Sequence, residues 1–174
     1  ITIYSGLVLI WSTTPLAIVW TVQEIPSMWA LLIRYCCAAL LSVALLLLLK
    51  ETLPLDKLSL KSYAAGSLNV IGSQLFIYLG ANYLPSGLIA LLFGLSPLVA
   101  GLLGYFVFKT QHLNFLQWGG MACAFAGLCV IFADQTQQET QPIGFVFIFI
   151  AILCFVTSIF LVKKVNAPVS AVAQ

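Results

Sequence analysis

The sequence predicts an all-α protein, a polytopic transmembrane helix bundle. Of its 174 residues, 62% are apolar and 7% are charged, whereas a soluble domain is about 45–50% apolar and about 25% charged. A chain of this length cannot bury so much apolar surface in a core of its own, so its surroundings must be apolar. Apolar runs such as Ala44–Leu49 do not alternate with polar residues, which excludes transmembrane β-strands. The few basic residues form no stripe that could bind phosphates, which excludes a nucleic-acid-binding protein.

Six stretches are long enough to cross a membrane, since a helix needs about 20 apolar residues to span a hydrocarbon core of about 30 Å. All the charged residues except Arg34 lie outside these stretches. The sequence therefore predicts six membrane-spanning helices joined by short links. The predicted spans are Ile1 to about Val22, Met28–Leu49, Ser62 to about Leu84, Ser86–Phe108, about Asn114 to Ala133, and Ile143–Val162.

The basic residues in the links predict the orientation, because cytoplasmic links of membrane proteins are enriched in Lys and Arg. In chain order, the segments that follow the six spans contain 0, 3, 0, 1, 0 and 2 basic residues. The N-terminus and the Lys163-Lys164 end are therefore predicted to be cytoplasmic. The expected location is the bacterial inner membrane, with the protein embedded in it.

The first span carries hydroxyl groups beside a proline near its middle. Pro15 has no N–H to donate to the carbonyl of Trp11, so the helix is loosened at this point. Ser12 and Thr14 place polar atoms next to the break, where they cost free energy unless they are paired or hydrated. Interrupted helices indicate the binding site in transporters. The alternative interpretation is a kink with interhelical hydrogen bonds.

The second span contains the one charged residue that lies inside a span. Arg34 follows the start of the span by six residues, about 9 Å along the axis at 1.5 Å per residue. Its guanidinium can extend back to the membrane surface on its aliphatic stem, or it can face a polar cavity and bind an anionic group. No Asp or Glu lies inside any predicted span, so a proton relay through carboxylates has no candidate in this chain.

The third span places two rows of polar side chains on one helix. Asn69 and Ser73 form one row, and Gln74, Tyr78 and Asn82 form the other. Both rows have the i, i+4 spacing that aligns side chains along a helix. Together with the polar groups of the first and fourth spans, they favour a shared polar cavity near the middle of the membrane.

The fourth span also contains a proline next to a hydroxyl group. Pro97 leaves the carbonyl of Phe93 without its helical donor, and Ser96 lies beside it. Small residues recur every three or four positions along the fourth and fifth spans, which predicts close helix packing. They are Gly87, Ala90, Gly94, Pro97, Gly101 and Gly104 in the fourth span and Gly120, Ala124 and Gly127 in the fifth.

These segments resemble the EamA-type transporters of the drug/metabolite transporter superfamily. The resemblance covers about residues 4–133, and Ile143–Lys164 resembles a sixth helix. One departure follows the fourth helix, where Gln111-His112 stands in place of an acidic residue that the family usually has. The similar segments are Trp11–Pro15, Arg34-Tyr35, Tyr78–Gly87 running on to Ser96-Pro97, and Gln117–Gly119 running on to Ala126-Gly127.

The resemblance implies ten helices in two inverted five-helix repeats, and export or import of small metabolites. Residues 1–141 would then be the first repeat and residues 142–174 the start of a second, truncated one, since Asn166–Gln174 reads like the lead-in to another span. We predict a secondary transporter of amino-acid-like or other small polar or amphipathic solutes that works by alternating access. The candidate substrate-binding residues are Trp11, Ser12, Thr14, Arg34, Asn69, Gln74, Tyr78 and Ser96.

Two other functions stay open. A membrane-embedded enzyme would need intramembrane acids, a His pair or a nucleophile with a base. The spans contain none of these, so no catalytic residue, cofactor or metal site is predicted. A structural or assembly subunit would direct its polar groups only at helix contacts. The expected partners are a small-molecule substrate and the lipid bilayer, with a homodimer left open and no nucleic acid.

Overall fold

The computed structural model describes residues 2–50, 53–109, 114–134 and 141–169, and these residues form helices joined by short links. No strand is present among them, so the predicted all-α class is confirmed. The helices are α1 (Thr2–Glu24), α2 (Ser27–Leu49), α3 (Lys57–Ser67), α4 (Gln74–Gly80), α5 (Ser86–Phe93), α6 (Ser96–Phe106), α7 (Phe115–Asp134) and α8 (Pro142–Val165), and the segment Leu68–Ser73 between α3 and α4 is π-helical.

Among the described residues, four helical stretches are long and apolar enough to cross a membrane, which confirms the predicted helical membrane bundle. They are Tyr4–Glu24, Ser27–Leu49, Ser86–Phe106 and Pro142–Val165. The predicted third span is also helical, because α3, the π-helical segment and α4 follow one another without a gap. The predicted fifth span is α7.

Helix α3 begins earlier than the predicted third span, at Lys57 instead of Ser62. The carboxylate of Asp56 accepts hydrogen bonds from the backbone N–H groups of Leu58 (3.1 Å) and Ser59 (3.3 Å) and from the hydroxyl of Ser59 (2.5 Å). A carboxylate at this position satisfies N–H groups that have no partner in the first turn of a helix. Lys57 therefore lies in the first turn of a helix and not in a loop.

Helix α8 packs along the third span in the opposite direction. Residue numbers rise along one helix while they fall along the other. The contacting pairs are Ala65–Ser158, Gly72–Cys154, Gly80–Ile148 and Leu84–Gly144. Ser158 donates its hydroxyl to the carbonyl of Ala65 at 2.8 Å, and glycines at three of the four levels let the backbones approach closely. Ile148 is completely buried in this interface.

The fourth span and α8 run in the same direction. The rings of Phe93 and Phe155 have centroids 6.2 Å apart. Further along the chain in both cases, Phe108, two residues past the end of α6, stacks on Phe160 of α8 at 4.6 Å. Two parallel spans require one return crossing between them. Helix α7, with 20 residues, lies between them in the chain and is long enough to supply this crossing.

The small residues of the fourth and fifth spans pack differently. Gly101 and Gly104 in α6 are buried, as close packing predicts. In α7, a Cβ added at Gly119, Gly120 or Gly127 would meet no other described atom within 4 Å. Close packing through the glycines of α7 therefore stays a prediction, because the described residues place no neighbour against them.

Candidate functional site

Arg34, the one charged residue inside a predicted span, contacts a buried tyrosine of the neighbouring span. The Nη1 atom of Arg34 donates a hydrogen bond to the hydroxyl of Tyr78 at 3.4 Å. The guanidinium carbon lies 6.0 Å from the centre of the tyrosine ring, at the limit of a cation–π contact. Tyr78 is 3% exposed. Of the polar side chains on the third span, Tyr78 is therefore the one to which Arg34 donates a hydrogen bond in the described structure.

Two further polar contacts join α2 to the third span. The side-chain amide of Asn82 donates to the hydroxyl of Ser27 at 2.7 Å, and the hydroxyl of Tyr35 donates to the backbone carbonyl of Val70. Side-chain hydrogen bonds of this kind hold helices together in an apolar solvent. Arg34 is therefore held between two other contacts on the same interface.

The carbonyl of Val70 that accepts this bond lies in the π-helical segment. Hydrogen bonds from residue i to i+5 replace the α-helical pattern there, and such turns are found mostly as single interruptions in α-helices, often at functional sites. The change of pattern also separates the two predicted polar rows. Gln74, Tyr78 and Asn82 keep their α-helical spacing from α4 onwards, whereas Asn69 and Ser73 lie inside the π-helical segment.

Two buried oxygen atoms lie where the π-helical segment meets α4. The hydroxyl of Ser73 and the side-chain carbonyl of Gln74 have no hydrogen-bond partner among the described residues. Ser73 is 1% exposed. Buried polar atoms without a partner are uncommon because each costs free energy. Gln74 lies one helical turn from Tyr78, so these atoms are close along the chain to the Arg34 contact.

The polar residues of the first span bond to their own helix. The hydroxyl of Ser12 donates to the carbonyl of Leu9 at 3.1 Å, and that of Thr14 to the carbonyl of Ile10 at 2.6 Å. The exposed Trp11 contacts Phe155 of α8 edge-on, with ring centroids 6.1 Å apart. The structure does not bring these three residues to Arg34.

The predicted interruption of the fourth span is present. Helix α5 ends at Phe93 and α6 begins at Ser96. The hydroxyl of Ser96 donates to the carbonyl of Phe93 at 2.5 Å. This is the carbonyl that Pro97 leaves without a helical donor, so the serine replaces the missing backbone hydrogen bond.

The eight predicted site residues thus fall into separate groups. Arg34 and Tyr78 touch, and Gln74 lies one turn away. Asn69 lines a groove between the third span and α8 together with Ser158 and Lys163. Sequence reasoning did not place Ser73 or Tyr35 in the site, although Ser73 stood in a predicted polar row and Tyr35 is adjacent to Arg34.

The Arg34–Tyr78 pair offers hydrogen-bond donors to a ligand. A guanidinium has five N–H donors and no acceptor, and one of these donors is used by Tyr78. Tyr78 accepts that bond, so its own O–H group is left to donate. Arg34 has no carboxylate partner in the part of the chain that the structure describes. The arrangement is suited to bind an anionic or acceptor-rich group.

The described residues contain no cluster of three or more His, Cys, Asp or Glu side chains that could hold a metal ion.

Residues 2–133, more than half of the chain, match the EamA-like transporter family. Comparisons with curated proteins and with solved structures give no significant match.

Proposed function

Since the chain belongs to the EamA-like transporter family, a family of drug and metabolite transporters, we propose that it is a secondary transporter of a small metabolite that works by alternating access. We propose that an anionic group of the substrate binds Arg34 and Tyr78. The observation that carries this proposal is the contact between these two side chains, at a cation inside a span that has no acidic partner among the described residues.

Placing Arg34 inside a membrane span costs free energy. A guanidinium near the centre of a membrane helix costs about 2.5–3.5 kcal/mol on insertion scales, and less toward the interface. A single hydrogen bond to a phenol leaves most of its donors without an acceptor. Water in a cavity, or a substrate carboxylate, would supply these acceptors. The proposal therefore places the guanidinium of Arg34 in contact with such a cavity.

Interruptions in two spans support the proposal that parts of these spans move during transport. The third span changes its hydrogen-bond pattern at Leu68–Ser73, and the fourth span breaks between Phe93 and Ser96. Interrupted helices in transporters lie at the binding site and allow parts of a span to move relative to each other. Both interruptions lie near the middle of their spans.

The proposed architecture is one five-helix repeat in residues 1–141 followed by the start of a second repeat in residues 142–174. An odd number of spans in a repeat inverts the next copy. The direction of α8, opposite to the third span and parallel to the fourth, is the direction that a sixth span would have. This agreement supports six alternating crossings, which the proposed architecture requires.

The observations favour transport over an assembly role. A subunit that only holds other helices together would pair its polar groups at helix contacts. The buried oxygens of Ser73 and Gln74 have no such pairing in the described chain. They are better explained by groups that bind a ligand or water, and the proposal therefore includes them in the cavity.

Solute exchange would test the proposed function. The purified full chain is reconstituted in liposomes loaded with an unlabelled solute, and uptake of the labelled solute is followed in a panel of small anionic, zwitterionic, cationic and neutral metabolites. The proposal predicts exchange for solutes with a carboxylate or another anionic group, and none in empty liposomes. Exchange restricted to cationic or neutral solutes would contradict the role of Arg34.

Thiol labelling would test the proposed orientation. Gln23→Cys and Leu55→Cys each place one cysteine at an exposed position in a background without native cysteines. A membrane-impermeant thiol reagent added outside the cell should label the first variant and not the second. Labelling of the second variant alone would reverse the orientation.

A further inference from the structure

A groove of about 640 Å³ lies between the third span and α8, at the end of the bundle where α8 finishes. One wall is formed by α3 and the π-helical segment, and the other by the last two turns of α8. Gly66 contributes no side chain, and a Cβ added there would meet no other described atom within 4 Å. The missing side chain leaves the groove open between its walls.

The walls of the groove are mainly apolar. Val70 and Ile71 lie on one side and Ile159 and Val162 on the other. Along α8, Lys163 lies one residue from the apolar wall and two residues from the end of the helix at Val165. The groove thus combines an apolar interior with a cation at the level of the membrane surface.

Most hydroxyl groups of the groove are already bonded to the protein. Tyr63 donates to the carbonyl of Pro54 at 3.2 Å, Ser67 to that of Ala64 at 2.8 Å, and Ser158 to that of Ala65 at 2.8 Å. The remaining polar groups of the lining are the amide of Asn69 and the ammonium of Lys163. Neither has a hydrogen-bond or ion-pair partner among the described residues.

The directions of the two walls favour a common ligand for these two free groups. Side chains on a helix generally tilt toward its N-terminus. Since α8 is antiparallel to the third span, which carries Asn69, this general tilt favours Asn69 pointing toward the end of the bundle where α8 finishes and Lys163 pointing away from that end, into the groove. A ligand that reached both would need a polar, negatively charged head and an apolar body along the walls.

We propose that this groove binds a phospholipid with an anionic headgroup. Lys163 pairs with the phosphate, Asn69 donates to the polar part of the lipid next to it, and an acyl chain lies against Val70, Ile71, Ile159 and Val162. A basic pocket between spanning helices at the membrane surface is a geometry that binds anionic lipid headgroups. The site is separate from the Arg34–Tyr78 pair, and its occupancy does not depend on the proposed transport activity.

Native mass spectrometry of the purified full chain would test the site with phosphatidylglycerol as the probe and phosphatidylethanolamine as the neutral comparison. The expected result is retention of one phosphatidylglycerol in preference to phosphatidylethanolamine. Lys163→Gln should weaken its binding about fivefold, which corresponds to about 1 kcal/mol for one lysine at a lipid surface. Lys164→Gln is the matched control, because Lys164 does not line the groove, and it should bind as the wild type does.

A second pair of variants tests the shape of the groove. Gly66→Leu fills the open space without meeting another described atom at its Cβ, and it should abolish the preferential binding. Gly87→Leu is its control, because Gly87 is exposed and a Cβ there also meets nothing. Thermal unfolding of all four variants shows whether each is folded.

Three results would overturn the proposal. Equal losses in the Lys163 and Lys164 variants would indicate a diffuse surface attraction. Wild-type binding in Gly66→Leu would place the lipid elsewhere. Displacement of the lipid by inorganic phosphate at a similar concentration would show that the site recognises the phosphate group alone and not a phospholipid.

Discussion

The hydroxyl of Tyr35 on α2 donates a hydrogen bond to the backbone carbonyl of Val70, at the point where the third span is π-helical. The adjacent Arg34 donates to Tyr78 one element further along the same span. Helix α2 therefore contacts both the π-helical segment and the α-helical part of the third span. The π-helical segment therefore sets where Tyr78 lies relative to Arg34.

Inserting one alanine between Gln74 and Leu75 should displace Tyr78 from Arg34. An added residue turns the rest of α4 by about 100° relative to the π-helical segment. The Arg34–Tyr78 contact and the Gly72–Cys154 contact could then not both persist. We expect the variant to insert in the membrane and solute exchange to fall to the level of empty liposomes, measured as described for the proposed function.

Tyr35→Phe is the control for that insertion, because it removes one hydrogen bond and leaves the register of α4 unchanged. It should keep most of the exchange activity. Wild-type exchange in the insertion variant would show that the register of α4 does not position the site.

Gly144→Ala should weaken the packing of α8 on the third span. A Cβ at this position would lie 2.6 Å from Cγ of Leu84 and 2.9 Å from Cβ of Tyr83, atoms close to the backbone that cannot move aside cheaply. Overpacking of this kind costs about 1–3 kcal/mol. Chemical unfolding in detergent should show a loss of this size, whereas Gly87→Ala should show none, since its Cβ would meet open space. Equal stability of the two variants would contradict the described interface.

The pH dependence of stability should report the capping carboxylate of Asp56. The hydroxyl of Ser59 donates to this carboxylate, and with the backbone N–H groups of Ser59 and Leu58 it lowers the pKa of Asp56 from its ordinary value of 3.8. A lowered pKa in the folded state means that the ionised carboxylate stabilises the fold above the ordinary pKa. This stabilisation is lost as the pH falls through the lowered pKa.

Asp56→Asn keeps a capping oxygen that does not titrate. The unfolding temperature of the wild type minus that of the variant should be constant from neutral pH to about 5 and should decrease below the ordinary pKa of 3.8. Ser59→Ala removes the donor with the largest effect on the pKa of Asp56, so the decrease should be smaller in that background and should level off at a higher pH. A difference that grows as the pH falls would contradict the assignment.

Local features of the sequence were sufficient to predict the helical spans and one of the interruptions. Apolar length determines which stretches can cross a membrane, and Pro97 lacks an N–H wherever it is placed. The break between Phe93 and Ser96 follows from that missing donor. The start of α3 was placed too late because the N-cap of Asp56 extends the helix beyond the apolar stretch.

Interactions between helices could not be predicted in the same way. No proline marks Leu68–Ser73, and the π-helical pattern there accompanies contacts with Tyr35 on α2 and Cys154 on α8, which are distant in sequence. The hydroxyl of Thr14 donates to a carbonyl of its own helix. Residue spacing alone does not distinguish such a bond from one to another helix. The third span carries several polar side chains, and only the folded structure shows that Tyr78 is the one that Arg34 contacts.

Solute exchange by variants of Arg34 tests directly whether this residue binds the substrate. Arg34→Lys keeps the charge and loses the planar arrangement of donors, so it should impair exchange nearly as much as Arg34→Ala. Because hydrogen bonds to charged groups contribute about 1.5–3 kcal/mol, we expect the half-saturating concentration of an anionic substrate to rise by roughly 10- to 100-fold. Lys109→Ala, which removes a charge outside the spans, is the control and should exchange normally. Normal exchange by an Arg34→Ala variant that inserts as well as the wild type would contradict the account.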